Sequence, residues 1–294
     1  MKKKILLTGG GGLLGQYLNL HLSSQNLLTM YYNNPGNCLM FNSAKLNLTD
    51  IDLLKKIFKE FKPDIVVHTA AVSRPEIAEK MDHKEVYSIN VSVTHNLALL
   101  CAECNSRLIY TSTDLVYAGY RGQMLKEDAK LIPVSLYAET KLMGEVKIKE
   151  TFDNYLILRT CLLYGVGLNH SDNNFHKMYF SLKNGKSVNL FTDQYRTPLS
   201  LFEAARIINK LCESDIKSET FNFGGKERIS RFELGEILCK EARLDRELLN
   251  PVKMKEIHGI YKVEDVSLNC NKLDNLGIKR LSVRESVREI LKNL

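Results

Sequence analysis

The segment ILLTGGGGLLGQYL, residues 5–18, commits the chain to one first move: an apolar strand has to turn at once into a helix. Gly9, Gly12 and Gly15 stand three apart, directly after the strand and directly before the helix. Glycine lets a backbone turn sharply and approach a ligand closely, and a helix start offers free N–H groups and the positive end of the dipole. Such a turn suits a pyrophosphate, with Leu13 and Leu14 beside it as further contacts. The GxxGxxG spacing departs from the GxGxxG of the dehydrogenase fingerprint and points to one branch of dinucleotide enzymes.

The rest of the first half repeats this βα pattern. Apolar strands at 3–8, 27–32, 64–69, 107–112 and 155–160 alternate with helical stretches from about 12, around 50–60, over 84–103 and from Tyr137 to about 150. Val86, Ile89, Val93, Leu97 and Leu100 follow helical spacing. Strand alternating with helix implies a parallel sheet covered on both faces, so the expected class is α/β, a Rossmann-type doubly wound sheet. No internal repeat and no linker rich in proline and serine divides the chain. After about 165 the pattern becomes irregular and predicts short helices and loops. The expected organisation is an NAD(P)-binding domain over 1–165, completed by later crossover segments, and a smaller substrate-binding lobe, mainly 166–294.

Composition narrows the function. The 294 residues carry a formal charge of +7, but the basic residues are scattered and interleaved with acids, as in KEDAK. Nucleic-acid affinity needs such charge clustered on one face, so that partner is not expected. A modest positive field equally suits a phosphorylated small substrate. The seven cysteines show no paired framework, and no apolar run approaches the roughly 18–20 residues of a membrane span. MKKKILLTGG starts like an export signal, yet only three apolar residues follow its positive charges, so it is expected to be a buried strand. The expectation is a cytoplasmic protein off the membrane, with a homodimer left open. Cys101 and Cys104 sit at a helix end and are expected to pack rather than bind metal. His68 is expected in the core, and no metal site is expected.

Tyr137 and Lys141, in LYAETKLMGE, stand four apart and so share one helix face, where they can act on one small molecule. At the end of the second strand, MYYNNPGN holds neither the acid that favours NAD nor the arginine that favours NADP. Asn33 or a tyrosine hydroxyl serves either cofactor there. NADP(H) is favoured because no carboxylate repels the extra phosphate, with NAD(H) as the alternative. Asn47 and Leu48, in LNLTD, are placed to reach an adenine.

The glycine loop, HTAA after the strand at 64–69, YTSTDLVY after the next and YAETK together resemble the extended short-chain dehydrogenase/reductases. Within them, STDLVYAGYRGQMLKEDAKLIPVSLYAETKLMGE is most similar to the dTDP-4-dehydrorhamnose reductase family. LRTCLLYG, NNF at 173–175, DQYRTP at 193–198 and VEDVSLNCNKL extend the likeness over nearly the whole chain. Departures are Ala138 for a usual glycine, Asn47 for a common aspartate and Lys262-Val263 for a usual Arg-Pro before Ser267-Leu268-Asn269.

The resemblance implies reduction of a nucleotide-linked 4-keto-6-deoxy sugar. Hydride arriving at a ketone leaves an oxyanion that needs a proton. Tyr137 is the implied donor, and Lys141 is expected to lower its pKa and to hold the nicotinamide ribose. Successive strand side chains point to opposite faces, so only one of Ser112 and Thr113 meets the ketone, and the resemblance implies Thr113, which lies in the family's matching column. Ala70 and Ala71 are implied cofactor contacts, and Tyr137 is expected to touch the cofactor as well as the substrate. Asp114, Asn173, Asn174, Phe175, Gln194, Arg196 and Lys262 are implied substrate contacts, with Arg196 suited to a diphosphate through its fork of donors. Sister 4,6-dehydratases carry an acid pair after the threonine, whereas here the second position is Leu115. The alternatives are a nucleotide-sugar epimerase, which uses the same three residues, and a non-catalytic regulatory NADP-binding protein, because a methionine adenosyltransferase regulatory subunit shares these echoes.

Overall fold

The structure is a computed structural model that describes residues 2–117, 119, 123–169, 171–257 and 263–294. Strand β1 (Lys4–Thr8) runs into helix α1 (Leu13–His21). Then come β2 (Asn26–Tyr31), β3 (Ser43–Lys45), α2 (Ile51–Phe61), β4 (Ile65–His68), the short α3 (Pro75–Ala78) and α4 (His83–Tyr87), α5 (Val93–Glu103), β5 (Arg107–Thr113), α6 (Leu136–Thr151) and β6 (Tyr155–Thr160). A seventh strand, Glu219–Phe223, pairs with β6, and the all-parallel order is 219–223, β6, β5, β4, β1, β2, β3. Chain direction across the sheet reverses between β1 and β4, and crevices at such a switch point, at the carboxyl ends of the strands, are where doubly wound sheets bind ligands.

Both faces of the sheet are covered. Ile5, Leu7, Val67, Ile109 and Leu158 point to α1 and the helix Leu201–Glu213. Leu6, Val66, Leu108, Tyr110 and Ile157 point to the side packed by Phe58 of α2, Leu97 of α5 and Ile148 of α6. The close approach of α1 to β1 depends on Gly15, where a Cβ would strike the Gly9 carbonyl and sit 2.7 Å from Gly10 Cα. The predicted helix over 84–103 is interrupted by a π turn at Ser88–Ser92. There Asn90 turns inward and hydrogen-bonds Val72 N–H, Val72 C=O and the Thr140 hydroxyl, so the wide turn ties this helix to α6.

The C-terminal third is more regular than its sequence pattern suggests. The helices Asn174–Lys183, Leu201–Glu213, Arg231–Ala242 and Val283–Lys292 run 10 to 13 residues, and three of them bury a separate cluster around Tyr164, Phe175, Leu238 and Val287. Their starts are capped by Asn173, Ser200, Ser230 and Ser282, the last two with full capping boxes. Among the described residues no helix is long and apolar enough to cross a membrane, and no group of three or more His, Cys, Asp or Glu is arranged to hold a metal. Cys101 is buried and Cys104 exposed.

Candidate active site

A cleft of about 1480 Å³ lies along the carboxyl ends of the strands. That exceeds the roughly 300–1,000 Å³ of a site for one small molecule and leaves room for a dinucleotide and a second ligand. Its floor at one end is the glycine loop. Gly9 turns with φ +73°, and a Cβ there would sit 2.7 Å from the Ala70 nitrogen, so only glycine fits between β1 and the loop after β4. Gly12 differs: a Cβ would meet only the Gly9 carbonyl, at 3.1 Å, and would stand in the open cleft. Gly12 is also the N-cap of α1 and offers no side chain to the first-turn N–H groups. Space kept bare at a helix start whose donors lack a cap fits a pyrophosphate, so these residues suit the dinucleotide that the sequence implies.

Of the expected cofactor contacts, Gly9, Gly12, Leu13, Leu14 and Gly15 line the cleft, as do Asn47, Leu48, Ala70 and Ala71. Asn33 is exposed and does not; Tyr31 and Tyr32 line the wall beside it instead.

Tyr137, Lys141 and Thr113 converge at the other end of the floor. Ser135 caps α6 and presents Tyr137 in its first turn, and the Tyr137 hydroxyl is hydrogen-bonded to Thr113. Thr113 Oγ1 also donates to Asp114 Oδ1 at 3.2 Å and accepts from Leu115 N at 3.2 Å. Strand alternation sends Ser112 elsewhere: its hydroxyl donates to Glu145 Oε1 at 2.5 Å.

The electrostatics differ from the sequence expectation. Burial pushes Tyr137 above its ordinary value, the Thr113 hydrogen bond opposes this, and the Asp114 carboxylate adds to it. Lys141 is not what lowers it. Its ammonium lies 4.0 Å over the Tyr110 ring, and burial brings its own pKa down to about 7 against the upward pull of Glu145. A buried phenol held protonated is still the form that a proton donor requires. His68, beneath the floor between Thr8 and Thr94, is kept neutral by burial and by the Lys141 charge, with a pKa of about 3. Burial pushes Asp114 up to about 6 although Arg196 Nε stands 3.7 Å from its Oδ2, which has no hydrogen-bond partner among the described residues.

On the substrate side, Asp114, Asn174, Gln194 and Arg196 line the cleft. Asn173 and Phe175 do not. Asn173 Oδ1 caps the helix that starts at Asn174 while its Nδ2 holds the Gly165 carbonyl, and Phe175 is buried against Tyr164. Lys262 lies outside the described residues. Arg196 is largely spent, its guanidinium donating to the carbonyls of Tyr195, Val263 and Glu264.

The cation that sequence reasoning missed is Arg231. It lines the cleft, donates from Nε to Gln194 Oε1 at 3.0 Å and forms no ion pair among the described residues, which include every Asp and Glu of the chain. Burial and the neighbouring Arg196 lower it to about 9. A signal was present: ISRFEL is a capping box, so Arg231 opens a helix, the end at which the dipole disfavours a cation. A cation placed there against helix stability suggests an anion to be met.

A parallel sheet wound about a glycine loop, with a Tyr-x-x-x-Lys helix and a strand-end threonine meeting over it, defines the extended short-chain dehydrogenase/reductases. Within that class, the model of the RmlD substrate binding domain matches residues 2–294, and the chain belongs to this family. It is 29% identical over 304 residues to methionine adenosyltransferase 2 subunit beta of Mus musculus, covering 98% of this chain and 87% of that one. It is 28% identical over 253 residues to dTDP-4-dehydrorhamnose reductase of Aggregatibacter actinomycetemcomitans, covering 84% and 82%. Among solved structures, a dTDP-4-dehydrorhamnose reductase ortholog from Clostridium acetobutylicum superposes with a TM-score of 0.85 at 26% identity, over 100% of this chain and 99% of that one. The fold is also that of the Bacillus anthracis dTDP-4-dehydrorhamnose reductase solved with NADP, with a TM-score of 0.87 at 24% identity and full coverage of both chains.

Proposed function

We propose that this protein reduces the 4-keto group of a nucleotide-linked 6-deoxy sugar, with NADP(H) as the favoured cofactor. The observation that carries the proposal is the meeting of Tyr137, Thr113 and Lys141 in the cleft that the glycine loop opens. The cofactor, held by Gly9, Gly12, Gly15 and the start of α1, supplies hydride. Thr113 and Tyr137 grip the substrate oxygen, and Tyr137 gives it a proton as charge builds there. Lys141 holds the nicotinamide ribose and keeps a positive charge near that oxygen. Arg231, with Gln194 turned toward it, meets the diphosphate, so the part from 166 onward furnishes most of the substrate side. Leu115 stands where elimination of water requires a second acid, which speaks against a dehydratase.

The test is oxidation of NADPH or NADH by the purified protein with a freshly generated dTDP-4-keto-6-deoxy sugar, followed by loss of reduced-nicotinamide absorbance. Turnover with NADPH above NADH is expected. A second reading, a cofactor-binding subunit of a larger enzyme, is favoured by the 98% of this chain that aligns with methionine adenosyltransferase 2 subunit beta. Tight NADPH binding with no oxidation of any nucleotide sugar supplied would turn the assignment that way.

The lysine gives this reaction a pH signature. Lys141 is charged below about 7 and neutral above it, while burial keeps Tyr137 protonated through the same range. The profile of kcat/KM, which reports the free enzyme, is therefore expected to fall as pH rises through about 7. Lys141→Arg, whose charge does not titrate, is expected to flatten that limb even where it lowers the rate.

A further inference from the structure

A buried ammonium needs a partner, and Lys141 lacks the obvious one. Glu145, one turn along α6, is engaged by Arg159 at 2.9 Å and by the Ser112 hydroxyl. The group under the Lys141 Nζ is the face of Tyr110, 4.0 Å from the ring centroid, at the middle of β5 and fully buried. Tyr110 is fixed from three sides. Its hydroxyl donates to the Lys141 carbonyl at 3.3 Å and is hydrogen-bonded with Thr94 of α5, and its ring lies 5.6 Å from that of His68. The hydroxyl fits between β5 and α6 because residue 144 is glycine: a Cβ there would run into it, with Tyr110 Cζ at 3.0 Å and Thr94 Cγ2 at 3.4 Å.

We propose that Tyr110 is a positioning residue for Lys141, its ring a seat that holds the ammonium at its working place in the cleft, and that Gly144 is bare so that the seat fits. A cation over an aromatic face gains most when water is excluded, as here. The titratable groups facing Lys141 are His68 of β4, Tyr110 of β5, and Tyr137 and Glu145 of α6. His68 stays neutral, Tyr137 and Tyr110 stay protonated, and Glu145 is paired with Arg159. Glu145, shared with Arg159, still pulls on the ammonium from along the helix, and the ring is the group in direct contact with it.

This inference rests on the cofactor-holding role given to Lys141, so its test does not depend on the sugar. NADPH affinity by fluorescence titration, melting temperature and, with a turnover assay, the alkaline midpoint of kcat/KM are read for Gly144→Ala, Tyr110→Phe, their double variant and Tyr110→Leu. Tyr110→Phe keeps the ring and is expected to stay within about threefold of the parent. Gly144→Ala drives the ring out of place and is expected to weaken NADPH about tenfold and to move the midpoint to lower pH, since a misplacement near 1 Å costs factors of this order or more. The double variant lacks the hydroxyl that the methyl strikes and is expected to return to the Tyr110→Phe level. Tyr110→Leu, which leaves α6 intact, is expected to lose about as much as Gly144→Ala. Equal NADPH affinity and equal midpoint in Gly144→Ala and the double variant, or parental values in Tyr110→Leu, would overturn the proposal whatever the melting temperatures. A parent that binds NADPH but reduces no sugar would instead sink the reductase assignment and leave this cycle readable.

Discussion

Tyr137→Phe is expected to lower kcat about a thousandfold or more while NADPH binds as before. General acids positioned at a reacting oxygen contribute factors of about 10² to 10⁴. Tyr137 stands toward the upper end for two reasons. The side chain is almost fully buried, so few waters reach it to substitute as donor, and the aliphatic hydroxyl of Thr113, its hydrogen-bond partner, orients the oxygen but is too weak an acid to replace the phenol. Phenylalanine keeps the ring in its contacts with Ala78 and Val86, so the fold and the glycine loop are left alone. Single-turnover absorbance decay of bound NADPH, compared with NADPH affinity measured without substrate, separates the two effects. A variant that reduced substrate at near-parental rate would remove Tyr137 from the chemistry.

Much of this site is legible in the sequence, and the reason is local. The glycine loop, the Tyr-x-x-x-Lys pair and the threonine at the end of β5 each occupy fewer than a dozen consecutive residues. A strand–turn–helix geometry needs no tertiary context to announce itself. What the sequence concealed depends on residues far apart. The seventh strand, Glu219–Phe223, reaches the sheet only by returning beside β6, and nothing in ETFNF names that neighbour. Three of the helices past 165, Asn174–Lys183, Arg231–Ala242 and Val283–Lys292, are hidden because their apolar faces are shared within a small cluster, Tyr164 with Phe175 and Leu238 with Val287, rather than repeated against a sheet.

The site residues divide the same way. Phe175 and Asn173 sit within one turn of Asn174, and only the local helix geometry decides that Asn174 opens to the cleft while the other two build the core and the cap. Arg196 looked free in DQYRTP, but its donors are taken by carbonyls from the segment at 263–264. Arg231, at the first position of its helix, is a cleft wall. The lysine–tyrosine electrostatics are not legible in the sequence, because spacing gives distance along a helix but not burial. Burial, not the neighbouring charge, sets both values here.

Arg159→Met is expected to cost stability more than any change confined to the cleft. Arg159 and Glu145 are both almost fully buried, and the pair is completely engaged. Arg159 donates to both oxygens of Glu145, to the Tyr117 hydroxyl and to the Glu127 carbonyl; Ser112 adds a donor to Glu145, and Tyr117 passes its own proton on to Asn222. The network thus joins α6, β5, β6 and the strand Glu219–Phe223 behind Tyr137 and Lys141. Removing the arginine leaves the buried Glu145 carboxylate with the part-exposed Lys149, 4.0 Å away, in place of its close partner, and breaking a buried pair typically costs about 3–5 kcal/mol out of a total of about 5–15. In a chain of this length that corresponds to a fall of about 10 °C in melting temperature. Replacing both partners, Arg159→Met with Glu145→Leu, is expected to recover most of the loss, because the buried charge rather than the missing bond carries the cost. The single variant has a second consequence. A carboxylate without its close partner one turn from Lys141 draws the lysine pKa upward, so the alkaline limb of kcat/KM is expected to move to higher pH in Arg159→Met and not in the double variant. Thermal melts and pH profiles of the two proteins, measured side by side, check both statements; equal melting temperatures for the single variant and the parent would show that the pair does not anchor α6.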